Sequence, residues 1–167
     1  YKSLSGVTAE ELNEDEMGAM VNKCVGFYTA LDLQGSTTTG KNINSKTQSG
    51  DWVDDVINLE AFSNALKVRL NNAITTQPSK LPLTAAGQQV LLDAATEVGE
   101  KYISNGYLAK REYLVPETGK QAITRGYEIL TNANDILNIS DEMRAARQGA
   151  PINMRIFQGG AIHQISM

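Results

Sequence analysis

The chain has 167 residues, of which 41% are hydrophobic and 20% are charged, and its formal net charge is −4. A chain of this length can bury a core without disulfides, and a single Cys with a single His excludes a Cys/His zinc site. Because Lys and Arg are scattered and no apolar run approaches the roughly 18 residues of a membrane span, we expect neither a nucleic-acid partner nor membrane insertion.

The first third of the chain predicts one helix and one strand. Residues 1–7 should be extended. Thr8 and the Glu three positions after it have capping-box spacing, which predicts a helix that continues through Asn22. Residues 25–33 have the composition of a strand, and the polar, Gly/Ser/Thr-rich residues 35–50 indicate a strand edge and a loop.

A near match to a phosphate-binding loop lies in this polar segment. Residues 35–42, from Gly35 through Lys41 to Asn42, follow a predicted strand and resemble G-x-x-x-x-G-K-[ST]. Asn42 replaces the hydroxyl residue that would bind Mg²⁺, and the residues after it are poor helix formers, whereas the motif needs a helix N-terminus at the phosphate. We therefore favour a polar hairpin and keep a nucleotide-binding protein as the weaker alternative.

Two long helices are predicted in the centre of the chain. The first covers residues 51–75, and Thr84 should cap a second that ends near Ser104, before Asn105 and Gly106. Each has an apolar stripe at helical spacing, namely Leu59, Phe62, Leu66, Leu70 and Ile74 in the first and Leu91, Ala94, Val98 and Tyr102 in the second.

The C-terminal third predicts short strands and one short helix. Strands are expected within 106–115, at 123–130 and at 152–156, with a loop at 132–138. Ser140 should cap a short helix that Gly149 and Pro151 stop.

The fold class that follows is α+β, with two long helices packed on a small mixed or antiparallel sheet. Residues 161–167 alternate, with Ala161, His163, Ile165 and Met167 on one face, and predict a terminal strand that nothing covers. Since an uncovered strand offers its backbone N–H and C=O groups to a neighbour, we expect it to take part in strand exchange.

No group of residues predicts catalysis. His163 is the only histidine and lacks a nucleophile at a recognisable spacing, and the lone Cys24 is interpreted as a buried thiol. The acidic groups at residues 14–16 and 54–55 open predicted helices, where the helix dipole favours carboxylates. We therefore expect no enzyme activity and no cofactor or metal.

Three arginines near the C-terminal end, Arg144, Arg147 and Arg155, predict an interface. The planar guanidinium pairs well with carboxylates, and a second copy of an acidic chain would supply them. Solvent-exposed arginines remain the alternative interpretation. With the terminal strand, the predicted subunit interface comprises Ala161, Ile162, His163, Ile165, Arg144, Arg147 and Arg155.

Short motifs in order along nearly the whole chain resemble the C-terminal part of contractile tail sheath proteins of bacteriophages. They are Gly6-Val7, residues 22–28, residues 35–40 followed by 49–56, residues 80–87, residues 106–109, and finally residues 140–147 with 160–163.

The resemblance implies a mechanical role. A sheath subunit assembles with copies of itself into a helical tube around the inner tail tube, attaches to a baseplate and contracts to drive injection. It also implies assembly in the host cytoplasm into the virion tail, and one sheath C-terminal domain over 1–167 that is a fragment of a longer subunit. A baseplate or tube adaptor with a similar sheet is the alternative structural role.

Overall fold

A computed structural model describes residues 3–31, 39–43 and 46–160 of the chain. These residues are α+β, with helices packed against small antiparallel sheets, which confirms the predicted fold class. The predicted terminal strand at 161–167 lies outside the described residues. The chain divides into two compact units, the first through Leu59 and the second formed by Glu60–Gly160.

The first unit contains one short helix and one hairpin. Helix α1 covers Glu14–Asn22, strand β1 Phe27–Leu31 and strand β2 Thr39–Ile43, and helix α2, Val53–Thr75, begins in this unit. The two strands pair antiparallel, with Phe27 opposite Ile43.

The predicted start of the first helix is wrong. The helix begins at Glu14, and Asn13, not Thr8, is its N-cap. The reason is that Glu10 forms a parallel bridge with Thr29 of β1. The Thr29 hydroxyl also donates a hydrogen bond of 2.8 Å to the Glu10 carbonyl. A backbone that pairs with a strand edge is extended and cannot enter a helix.

The second unit contains the rest of α2 and most of the regular structure. Two antiparallel sheets form here, β3 with β4 and β5 with β6, each of two strands. The elements after α2 are α3 (Ala85–Ser104), β3 (Arg111–Leu114), β4 (Gln121–Thr124), β5 (Tyr127–Ile129), a 3₁₀ helix (Ala133–Asn138), α4 (Asp141–Ala145) and β6 (Met154–Ile156).

Helix α3 begins and ends where the sequence predicts. The Thr84 hydroxyl accepts a hydrogen bond from the Gly87 N–H. Asn105 is the C-cap, and Gly106 follows with a φ of +82°, a left-handed conformation that glycine adopts without strain.

The core of the second unit is an aromatic cluster against α3. Phe62 and Tyr102 meet edge to face with ring centroids 5.1 Å apart, and Tyr107 packs on Tyr102 at 5.9 Å. Tyr127 of β5 lies on Gly99 so closely that an added Cβ would be 2.5 Å from its ring. A glycine in the middle of α3 therefore allows the strand to approach the helix.

The apolar stripe predicted along α2 is only partly buried. Phe62 is 4% exposed and Leu66 is half-buried, but Leu59 and Ile74 are 46% and 51% exposed. Among the described residues the core cluster contacts α2 at Phe62, Ala65 and Leu66 alone. The stripe continues beyond the part of the helix that meets the core.

The single strand predicted at 123–130 is two strands with different partners. Strand β4 pairs with β3 and strand β5 with β6, and the chain changes direction at Gly126, whose φ is +134°. The predicted loop after β5 is the 3₁₀ helix, with Ile136 buried on its inner side. No helix in the described ranges combines the length and hydropathy of a membrane span.

Candidate interaction surface

The segment that carries two of the predicted arginines is anchored on α3. The 3₁₀ helix packs against α3, and its Ile136 is 1% exposed. From α3, the Gln88 side chain donates a hydrogen bond of 3.0 Å through Nε2 to the carbonyl of Ala150. The segment between these two anchors is therefore held in place although most of its side chains face solvent.

Helix α4 presents Arg144 at its C-terminal end. The Ser140 hydroxyl accepts a hydrogen bond of 3.2 Å from the Met143 N–H, which confirms the predicted cap. Arg144 is exposed, and its Nη2 donates a long hydrogen bond of 3.5 Å to the carbonyl of Ile136. This contact orients the side chain without neutralising its charge.

Arg147 occupies a backbone position that favours glycine. The Gln148 N–H donates to the Met143 carbonyl at 2.8 Å, and the Arg147 N–H donates to the Arg144 carbonyl at 3.1 Å. This is the Schellman pattern, and Arg147 takes its left-handed position with a φ of +56°. That conformation costs a residue with a Cβ roughly 1 kcal/mol, and the turn directs an exposed arginine to the protein surface.

A small cavity lies beside this turn. Its volume is about 120 Å³, and its wall is mostly apolar, with Leu83, Leu91 and Ile136 among the lining residues. Gln88 and Arg147 also line it. Gln88 is 2% exposed, and its Oε1 has no hydrogen-bond partner among the described residues. A buried amide oxygen without a donor is unfavourable, and this oxygen is closed off from solvent.

Arg155 lies apart from Arg144 and Arg147, in a network on the two hairpins. From β6, its Nη2 contacts Glu117 at 2.7 Å and its Nη1 contacts Glu128 at 3.0 Å. The Tyr113 hydroxyl donates a 2.7 Å hydrogen bond to the same Glu128 oxygen, and the Arg155 guanidinium lies 5.7 Å from the Tyr113 ring centroid. The network joins β3, β5, β6 and the turn after β3.

The network raises the pKa of some of its groups and lowers the pKa of another. The hydrogen bond to Glu128 raises the pKa of Tyr113. The pKa of Glu117 is lowered, first by a hydrogen bond from its own backbone N–H and then by Arg155. The hydrogen bond to Glu117 raises the pKa of Arg155. Each shift favours the charge state that holds the strands together.

Of the seven predicted interface residues, the structure describes three. It brings Arg144 and Arg147 together on one turn and places Arg155 in a separate internal network. Ala161, Ile162, His163 and Ile165 lie outside the described residues, so their role stays a prediction.

Sequence reasoning missed the acidic partners of Arg155 and the buried Gln88. Glu128 stands directly opposite Arg155 in the β5–β6 register. Only the strand pairing makes these residues neighbours, and two separated charges in a sequence carry no signal of it. Gln88 gave no signal either, because a polar residue near a helix start is ordinarily exposed.

Lys41 and the two acidic groups lie where their structural interpretations, a hairpin strand and two helix starts, place them. Lys41 lies on β2, opposite Thr29, and not at a helix N-terminus where a phosphate-binding loop would require it. The acidic groups lie in the first turns of α1 and α2. Cys24, interpreted from the sequence as a buried thiol, is a free thiol in the turn after α1 and is only half-buried. Within the described residues, no three His, Cys, Asp or Glu side chains cluster as metal ligands.

Comparison with known proteins assigns the family. Residues 53–167, which begin at the first residue of α2, match the model of the family described as E217 tail sheath protein gp31-like, C-terminal domain. None of the curated proteins that were compared matches the chain. Because the family match covers more than half of the sequence, this chain belongs to the phage tail sheath proteins of the E217 gp31-like family, and its residues 53–167 correspond to that family's C-terminal domain.

Proposed function

We propose that this chain is a structural subunit of a contractile phage tail sheath. It assembles with copies of itself into a helical tube around the inner tail tube, contacts the baseplate, and contracts to drive injection. Its work is mechanical and involves no catalytic turnover and no cofactor. Assembly takes place in the host cytoplasm, and residues 1–167 together form one C-terminal sheath domain of a longer subunit.

The observation that carries the proposal is the family match over residues 53–167. The matched region begins with α2 and contains all of the second unit, so the aromatic core, the hairpins and the arginine-bearing turn lie inside it.

Open sheet edges support the idea that copies are linked by added strands. Among the described residues, β2 pairs with β1 alone, and β3 and β4 pair only with each other. Two-stranded sheets are marginally stable in water, and their edges accept another strand through backbone hydrogen bonds. A terminal strand at 161–167 from a neighbouring copy would be such an addition, and a head-to-tail link of this kind builds open helical assemblies.

The exposed arginines support a contact that involves side chains as well. Arg144 and Arg147 reach solvent from a rigid turn, whereas Arg155 is held by two carboxylates of its own chain. We therefore assign Arg144 and Arg147 to the contact surface. Arg155 stabilises the hairpins beside it, and Ala161, Ile162, His163 and Ile165 contribute through the terminal strand.

Electron microscopy of the negatively stained chain at high concentration, together with size-exclusion chromatography, tests the proposal. Tubular or helical particles support a sheath subunit. A discrete ring or small uniform oligomer would instead favour a baseplate or tube adaptor, and a monomer at all concentrations contradicts self-assembly of this chain.

Removal of residues 161–167 tests the strand link. We expect the truncated chain to keep its helical circular dichroism and to lose the large particles. A variant in which a Gly/Ser segment of equal length replaces these residues is the matched control, because it keeps the length and removes the alternating pattern. Assembly of either variant at the wild-type level would refute the link, and loss of the helical signal would show that the strand belongs to the core.

A further inference from the structure

The cavity beside the α4 turn has the features of a seat for one side chain. Its volume of about 120 Å³ is close to that of a single aliphatic side chain, and its wall is mostly apolar. The best occupant is therefore an apolar side chain.

The lining of the cavity contains one charged residue, an arginine. Arg147 lines the cavity and Arg144 lies one turn earlier, and neither makes an ion pair within the described part of the chain. Asp141 and Glu142 lie in the first turn of the five-residue helix α4, and neither lines the cavity. An occupant should therefore carry carboxylates a short distance from its apolar side chain.

Helix α1 has this chemistry. It buries none of its residues, and Val21 is 58% exposed. Glu14 and Asp15 lie seven residues before Val21 and Asn22, which places each acid on the same helix face as one of these, about 10 Å away along the axis. Neither acid makes an ion pair in the described ranges.

The distribution of charge favours contact between copies. Residues 1–59 carry four Lys or Arg against nine Asp or Glu, whereas residues 60–160 carry eleven against ten. A head-to-tail contact therefore brings an acidic surface of one copy to a basic turn of the next, which steers and orients the association.

We propose that α1 of a neighbouring copy docks on this cavity, with Val21 inside it and with Glu14 and Asp15 paired with Arg144 and Arg147. The proposal rests on the self-assembly of the chain described above and names the two surfaces that meet.

Charge reversal in two separate chains tests the contact. One chain carries Arg144→Glu and Arg147→Glu, and the other carries Glu14→Lys and Asp15→Lys. Alone, each would bring like charges together, and we expect self-association to weaken about tenfold or more by sedimentation velocity. Mixed in equal amounts, the two chains can alternate with every charge pair restored, so assembly should return.

The mixture and a control variant distinguish failure of the docking proposal from failure of the sheath proposal. Lys67→Glu with Lys101→Glu, two exposed lysines of α2 and α3, is the control with the same change of net charge as the arginine variant, and it should assemble as the wild type does. Circular dichroism checks that every variant is folded. If the wild type assembles but the two charge variants assemble normally, or the mixture stays dissociated, the docking proposal is wrong while the sheath proposal stands. Failure of the wild type to associate overturns both.

Filling the cavity tests the apolar half of the contact. Leu83 is half-buried in the cavity wall, and Leu83→Trp adds volume there without a change of charge. We expect this variant to fold and to associate about tenfold more weakly. Wild-type association of a folded Leu83→Trp chain would show that the cavity is not the seat of α1.

Discussion

The two units of this chain are stabilised in different ways. In the second unit, four aromatic residues form a core cluster with Val98 and Leu108, and a charged network joins the hairpins. In the first unit, backbone hydrogen bonds dominate, since β1 pairs with β2 on one side and with Glu10 on the other, and α1 buries no residue at all.

This difference indicates which surfaces are available to partners. A helix that buries nothing in its own chain still carries apolar side chains such as Val21, and its Glu14 and Asp15 make no ion pair among the described residues. The second unit packs its aromatic residues in its core, but it also exposes apolar side chains, among them Leu114, Ile123 and Leu137. The family match begins at α2, so the acidic helix lies outside it.

The largest expected effect is loss of the aromatic core. Phe62 is 4% exposed and contacts Tyr102, so Phe62→Ala should lower the free energy of unfolding by about 3–5 kcal/mol. Hydrogen exchange read by mass spectrometry should show reduced protection in α3 and unchanged protection in β1. Val21→Ala is the control in the first unit and should change stability by less than about 0.5 kcal/mol. Equal loss of protection in β1 would show that the two units unfold together and would break the comparison.

Two glycines, one in a helix of each unit, should change stability in opposite directions when they are replaced by alanine. Gly99→Ala places a Cβ against the ring of Tyr127 and should destabilise the protein by about 1–3 kcal/mol. Gly18→Ala, at an exposed position of α1 with nothing within 4 Å, should stabilise the helix by about 0.5–1 kcal/mol. Urea denaturation of both variants measures the difference. A neutral Gly99→Ala would mean that α3 and β5 separate easily.

The smallest effect concerns the charged groups of each unit. Arg155→Gln removes contacts to Glu117 and Glu128 and should lower the melting temperature by a few degrees. Lys46→Gln removes an exposed contact with the Trp52 ring, whose centroid is 4.8 Å from the ammonium, and should have less effect. If both variants melt at the same temperature, the network in the second unit adds nothing beyond an exposed contact.

The effect of Arg155→Gln on the melting temperature should depend on pH. The pKa of Glu117 is lowered from its ordinary value of 4.5, so its contribution to stability is present above that value and is lost as the pH falls through the lowered pKa. Arg155→Gln removes part of this shift and leaves the part due to the backbone N–H. The difference in melting temperature between wild type and variant should therefore narrow below about pH 4.5, and a constant difference would contradict the role of Glu117.

The sequence predicted correctly those features that depend only on residues close together along the chain. Thr84 and Ser140 cap the helices that they were expected to cap, because capping depends on residues within one turn. The capping-box pattern at Thr8 failed because a contact with β1, nineteen residues away along the sequence from Glu10, competes for the same backbone. The stripe on α2 likewise shows which face is apolar and not how much of it meets a core.

The sequence by itself determined the fold class, the two long helices and their ends, and the resemblance to tail sheath proteins that the family match confirms. These follow from periodicity, caps and short motifs, which are written in neighbouring residues. Tertiary structure alone decided that Gln88 is buried without a donor for its Oε1, that Arg155 is held by Glu117 and Glu128, and that Arg147 borders a cavity. Each of these depends on which distant segments pack or pair together, a property of the whole chain that no local pattern encodes.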